Sequence, residues 1–172
     1  MEGKQIQVKT LAVSIAAVVC IEAGLAFSRA AFNPLLRMGV ARLLELGLIV
    51  WIVRCDEGSV TSIGLDRARW LPGLRRGLLW SVGFGALSGI VFAVLFMAGI
   101  NPLSMIRTSL PKNSANLLLF FLVGGIVAPV AEEVFFRGIL FAAAYEIEKN
   151  LIVPITIHCL GNLAIFSLSL IG

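Results

Sequence analysis

The sequence predicts an all-α protein, a multipass membrane bundle of about five transmembrane helices, and three observations carry that reading. Hydrophobic residues make up 59% of the 172 residues and charged residues only 14%, too little polar surface to enclose a water-soluble globule. The apolar residues gather in runs close to the roughly 20 that a helix needs to cross a hydrocarbon core about 30 Å thick. Most charges fall between those runs. No room is left for a separate soluble domain, so residues 1–172 read as one integral membrane domain.

The first span, about 8–27, follows Lys4 and Lys9, and its length favours an anchor over a cleaved secretory signal. Ala17-Val18-Val19-Cys20 resembles a lipoprotein cleavage box, but a bulky Val precedes the Cys where a small residue is expected. The second span, about 35–53, carries Arg37, Arg42 and Glu45. Arg42 and Glu45 stand three residues apart and are expected to pair on one helical face, with Arg37 snorkelling to the interface. From Arg54 to Arg76 the composition turns polar, punctuated by Gly58, Pro72 and Gly73, which predicts the main loop at 54–76. Trp70, Leu71 and Leu74 among its arginines place part of it on the membrane surface.

The third span, about 77–100, is free of charge, and Ser81, Gly85, Gly89 and Ala93 recur every fourth residue so that another helix can approach closely. Packing within the monomer is the first expectation for that stripe and a homodimer seam the second. The fourth span, about 115–145, is interrupted by Gly124, Gly125 and Pro129 and leads into charged residues. The fifth, about 151–171, follows a polar cluster ending at Lys149 and Asn150.

The net charge of +4 forms no continuous basic patch with interleaved aromatics, which argues against nucleic acid. It reads as topology. Lys4, Lys9, Arg54, Arg67, Arg69, Arg75, Arg76 and Lys149 fall on one side, against Arg29, Arg37, Arg107 and Lys112 on the other. The positive-inside rule puts the N-terminus and main loop in the cytoplasm of a cell-membrane protein. Cys20, Cys55 and Cys159 have neither disulfide-framework nor zinc-knuckle spacing. No internal repeat is visible, which weakens a transporter reading.

The residues that carry chemistry are Glu132, Glu133 and Arg137, set between apolar segments, and His158 and Asn162 inside the last run. Ionisable groups within a membrane are functional candidates by default. On a helix Glu133 and Arg137 can form an i, i+4 ion pair, while Glu132 points about 100° away. Desolvation favours a neutral acid and a neighbouring arginine favours the carboxylate, so the two glutamates are expected to play different parts. A plainer reading stands beside this one: after Pro129 the acids open a helix at the membrane surface, favoured by its dipole. His158 and Asn162, one turn apart, would then be interhelical hydrogen-bonding residues.

Glu132-Glu133-Val134-Phe135-Phe136-Arg137-Gly138 resembles the first motif of the CAAX-protease and bacteriocin-processing family of intramembrane proteases. His158-Cys159-Leu160-Gly161-Asn162 is similar to the last motif of that family, and the stronger similarity runs over about 128–166. The resemblance implies a peptidase that uses glutamate-activated water. Glu132 would be the base, Glu133 with Arg137 a supporting pair, and His158 with Asn162 the oxyanion donors. The family's middle motif, Phe-x-x-x-His, is missing here, so His158 stands either for the base-assisting histidine or for the oxyanion one. The resemblance implies a membrane-anchored or lipid-linked protein substrate: a prenylated protein, a bacteriocin leader or, favoured by so short a chain, a C-terminal sorting tag. The alternative is an inactive relative serving as an immunity or scaffold protein.

Neither a cofactor nor a metal is expected, because a single histidine without a cysteine pair falls short of a zinc-protease ligand set, and Arg137 would oppose a cation at Glu133. Register gives a further expectation. A turn near Asn150 would put Glu132 about 27 Å along one helix and His158 about 12 Å along the next, so that they miss each other. An earlier turn near Tyr145, or a broken or tilted helix, would bring them together.

Overall fold

The computed structural model of the chain describes residues 6–27, 33–106, 108–136 and 150–170. Among them there is no strand, and the architecture is an all-α bundle. Helix α1 spans Val8–Phe27 and α2 Pro34–Glu57. Asn33 starts α2 by accepting the Leu35 N–H at 2.9 Å, with Pro34 in the first turn, where its missing N–H costs nothing. Gly58 ends it at φ 77°, a left-handed conformation that glycine adopts without strain.

Two short 3₁₀ turns follow, Val60–Ile63 and Arg67–Arg69, capped by the side chains of Ser59 and Asp66. Helix α3 runs Trp70–Met97. Asn113 then opens α4, a continuous helix over Ser114–Phe136 whose middle widens into a π turn at Val123–Val127. Helix α5 is Ile152–Leu168.

Helices α1 and α2 form an antiparallel hairpin, fixed at one end by Thr10 Oγ1 donating to Glu57 Oε1 at 2.9 Å and by the Lys9–Asp56 ion pair at 3.1 Å. At the other end Arg42 reaches Glu22. Helix α3 packs chiefly on α5, and α4 lies between α2 and α5. The core gathers Ile49, Val53, Ile63, Val134 and Leu151, all nearly or fully buried. It therefore lies directly beneath the residues that follow Pro129 on α4.

Three stretches are long and apolar enough to cross a membrane: Val8–Phe27, Val60–Met97 and Ser114–Phe136. Ile152–Leu168 is apolar but shorter, and α2, with its interior charges, is not among them. The boundaries differ from expectation around the main loop. Helix α2 continues to Glu57 and α3 begins at Trp70, so the loop shrinks to 58–69. Pro72 and Gly73 are not breakers, because a proline in the first turn of a helix removes no intrahelical bond.

The close approach expected along Ser81, Gly85, Gly89 and Ala93 occurs earlier on the same stripe. A Cβ on Gly73 would stand 2.5 Å from the Asn150 side chain, and one on Gly77 would stand 2.5 Å from Thr156 Cβ. Gly85 and Gly89 meet nothing within 4 Å among the described residues. Residues 137–145 of the expected fourth span, Arg137 among them, lie outside the described residues.

Candidate active site

The site begins with an irregularity in α4. In the π turn the Ala128 N–H bonds back five residues to the Val123 carbonyl. It therefore bypasses the Gly124 carbonyl, and the next residue, Pro129, has no N–H to offer. Asn162 of α5 fills the gap, its Nδ2 donating to Gly124 O at 2.9 Å. The absence of side chains at Gly124 and Gly125 lets α5 lie this close. A Cβ on Gly125 would stand 2.5 Å from Leu163 Cδ2, and one on Gly124 would stand 3.1 Å from the Phe166 ring.

One turn before Asn162, the same face of α5 presents His158 to the end of α4. Its Nδ1 lies 2.9 Å from Glu133 Oε1, and its Nε2 lies 3.9 Å from Glu132 Oε2. Against an ionised Glu133, which only accepts, Nδ1 would be the donor. A neutral imidazole in that tautomer keeps a lone pair on Nε2, directed toward Glu132. The separation of 3.9 Å exceeds a direct hydrogen bond, and an oxygen that touched both groups would sit beside the line joining them.

The two glutamates are adjacent on a helix and so point in different directions. The Glu133 side chain is 9% exposed and the Glu132 side chain 37%. Glu133 is thus the buried orienting group and Glu132 the accessible one. Phe135 and Phe136 follow in edge-to-face contact, and Val134 is buried in the core. The fold brings Glu132, Glu133 and His158 together, so among the registers the sequence leaves open, the one in which they miss each other does not apply. Asn162 belongs to the same helix face, but one of its amide hydrogens is committed to the backbone of α4.

Sequence reading missed a neighbour. Arg42 bonds to Glu45 Oε2 at 2.5 Å, as expected, but also to Glu22 Oε1 on α1 at 3.1 Å. It lies close enough to Glu132 to interact electrostatically with it. The available signal was an acid, Glu22, deep in the apolar run of α1, whose other charge, Lys9, stands at its start. Among the described residues no group of three or more His, Cys, Asp and Glu side chains is arranged to hold a metal ion. No family model, no curated protein and no solved structure matches this chain.

Proposed function

We propose that the protein is an intramembrane endopeptidase of the cell membrane, with its N-terminus in the cytoplasm, in which Glu132 and His158 activate a water for peptide-bond hydrolysis. The observation that carries this reading is the position of His158, anchored at Nδ1 by buried Glu133 while Nε2 lies 3.9 Å from accessible Glu132. The arrangement follows the logic of an oriented base, in which one carboxylate fixes the tautomer and leaves the other ring nitrogen free to act.

In the proposed reaction Glu132 takes a proton from the water as its oxygen attacks the scissile carbonyl carbon. His158 Nε2 accepts a hydrogen bond from the same water and holds it for the attack. The C–N bond breaks as the proton held by Glu132 passes to the leaving nitrogen, which yields an acid and an amine. Candidate substrates are membrane-anchored or lipid-linked proteins, foremost those with a C-terminal sorting tag. Deletion of the gene is expected to leave such precursors with their tails uncleaved, as read by proteomics of the membrane fraction. Retention of no tail in any anchored protein would remove that substrate class.

The purified protein is expected to cleave a candidate substrate, to lose that activity in Glu132→Gln, and to keep it in the presence of a strong chelator. Equal cleavage by Glu132→Gln rejects the assignment, and chelator loss restored by zinc makes His158 a metal ligand instead. One observation favours a second reading, an inactive relative acting as an immunity or scaffold protein. The Asn162 amide, which the family resemblance would assign to the oxyanion, is bonded to Gly124 O. Protein that binds a membrane-anchored partner stably and never cleaves it would support that reading.

A further inference from the structure

A second group of charges lies inside the bundle and takes no part in the proposed hydrolysis. Glu22 of α1 and Glu45 of α2 both reach the same guanidinium nitrogen, Nη1 of Arg42, at 3.1 and 2.5 Å. The Glu45 side chain is only 5% exposed. Its second oxygen, Oε1, is buried and has no hydrogen-bond partner. Glu22 is half exposed on α1, a helix apolar enough to cross a membrane, so the part not covered by protein faces hydrocarbon or its boundary.

Charge counting makes this arrangement untenable with every group ionised. Two carboxylates against one guanidinium leave a net charge of −1 in a medium where an uncompensated charge is very costly. Among the described residues, the other charged groups close by add no cation. On α4, packed against α2, the acids are Glu132 and Glu133, with His158 beyond them on α5. The Lys9–Asp56 pair and Glu57 stand at the far end of the α1–α2 hairpin. Arg37 lies more than one helical turn from Arg42 on α2 itself, and the turn Val60–Ile63 carries no charge.

We infer that Glu22, Arg42 and Glu45 form a proton-binding site, in which one proton is shared between the two carboxylates on a single arginine. The proton occupies the open position at Glu45 Oε1, converts an unsatisfied buried acceptor into a donor, and makes the cluster neutral. The two carboxylates meet at a single nitrogen, Arg42 Nη1, which holds them beside one another as sharing requires. The site binds its proton whether or not the chain is a peptidase. Its occupancy also decides whether Glu132 faces a neutral or a negative group across α2.

The test is infrared spectroscopy of the full-length protein in lipid nanodiscs at neutral pH, reading the carbonyl stretch of protonated carboxylic acid. A shared proton predicts the loss of one carboxyl equivalent of that band in Glu22→Gln and, separately, in Glu45→Gln, because either remaining acid ionises against Arg42. Glu132→Gln is expected to leave the band unchanged. Arg42→Met is expected to raise it by one carboxyl equivalent, since both acids then hold protons. Absence of the band from the wild type, its persistence in either glutamine variant, or its loss in Glu132→Gln overturns the inference. Circular dichroism of each variant identifies any that fails to fold, and the two glutamine variants, isosteric with the native residues, give the reading independently of Arg42→Met.

Discussion

Around Arg42, two carboxylates from two regular helices converge on one guanidinium; around His158, two adjacent carboxylates of a single distorted helix converge on one imidazole. The first centre is permanently cationic, and both of its ion pairs fall on one nitrogen, Nη1. The second can be neutral and keeps a ring nitrogen toward an accessible acid. Regular helices therefore hold charge here, while the helix with the π turn and Pro129 carries the two carboxylates that meet the imidazole. The contrast separates residues whose removal should abolish chemistry from those whose removal should loosen the fold.

The largest effect is expected at the imidazole. Glu132→Gln and His158→Ala should each lower cleavage by about a thousandfold, within the range for a positioned acid or base, with thermal unfolding in detergent little changed for Glu132→Gln. A loss of activity matched by a loss of folded protein would erase the distinction between the two clusters. At the guanidinium the expected order is reversed. Arg42→Met should destabilise the protein by about 3 kcal/mol, as removing one partner of a buried pair does, and Arg42→Lys should recover part of it. Denaturant titration that finds no change would show that the α1–α2 hairpin does not depend on this cation.

A smaller effect separates the used from the unused part of the α3 stripe. Gly77→Ala, whose Cβ would collide with Thr156, should cost about 2 kcal/mol by overpacking. Gly85→Ala meets open space and should be neutral or slightly stabilising through helix propensity. Equal costs, or a cost at Gly85 that depends on protein concentration, would reveal a partner on that face. The smallest effect is expected for Asn162→Ala, about 1 kcal/mol for an orphaned carbonyl, with activity falling only in proportion to folded protein. A far larger loss of activity than of stability would return Asn162 to the oxyanion.

Much of this was readable from residue order. The ends of α1 follow from the length of an apolar run, and Glu132, Glu133 and His158 stand out as ionisable groups in apolar surroundings. Which glutamate is buried was not readable from geometry, because which of two neighbours points inward depends on the helical register after the π turn. Gly124, Gly125 and Pro129 marked an interruption without giving its geometry. The start of α3 was missed because arginines and a proline in a first turn resemble a loop in composition. Glu22 was missed because its partner lies 20 positions away, and only the antiparallel pairing of α1 with α2 brings them level.

The crossing of Gly77 against Thr156 also works as a depth gauge. Arg75 and Arg76 immediately precede it, and no charge follows on α3, so the proposed reading sets a bilayer's polar boundary at that level. Helices α3 and α5 run in the same direction there, Gly73 meeting Asn150 and Ile152 before Gly77 meets Thr156. His158 comes two residues later, about 3 Å deeper at 1.5 Å per residue. On the proposed reading, the chemistry takes place in the shallows. Water arrives from the headgroup layer without a channel, and a substrate helix need unwind only its last turn to present a bond. Cleavage is then confined to juxtamembrane positions, whatever sequence surrounds them.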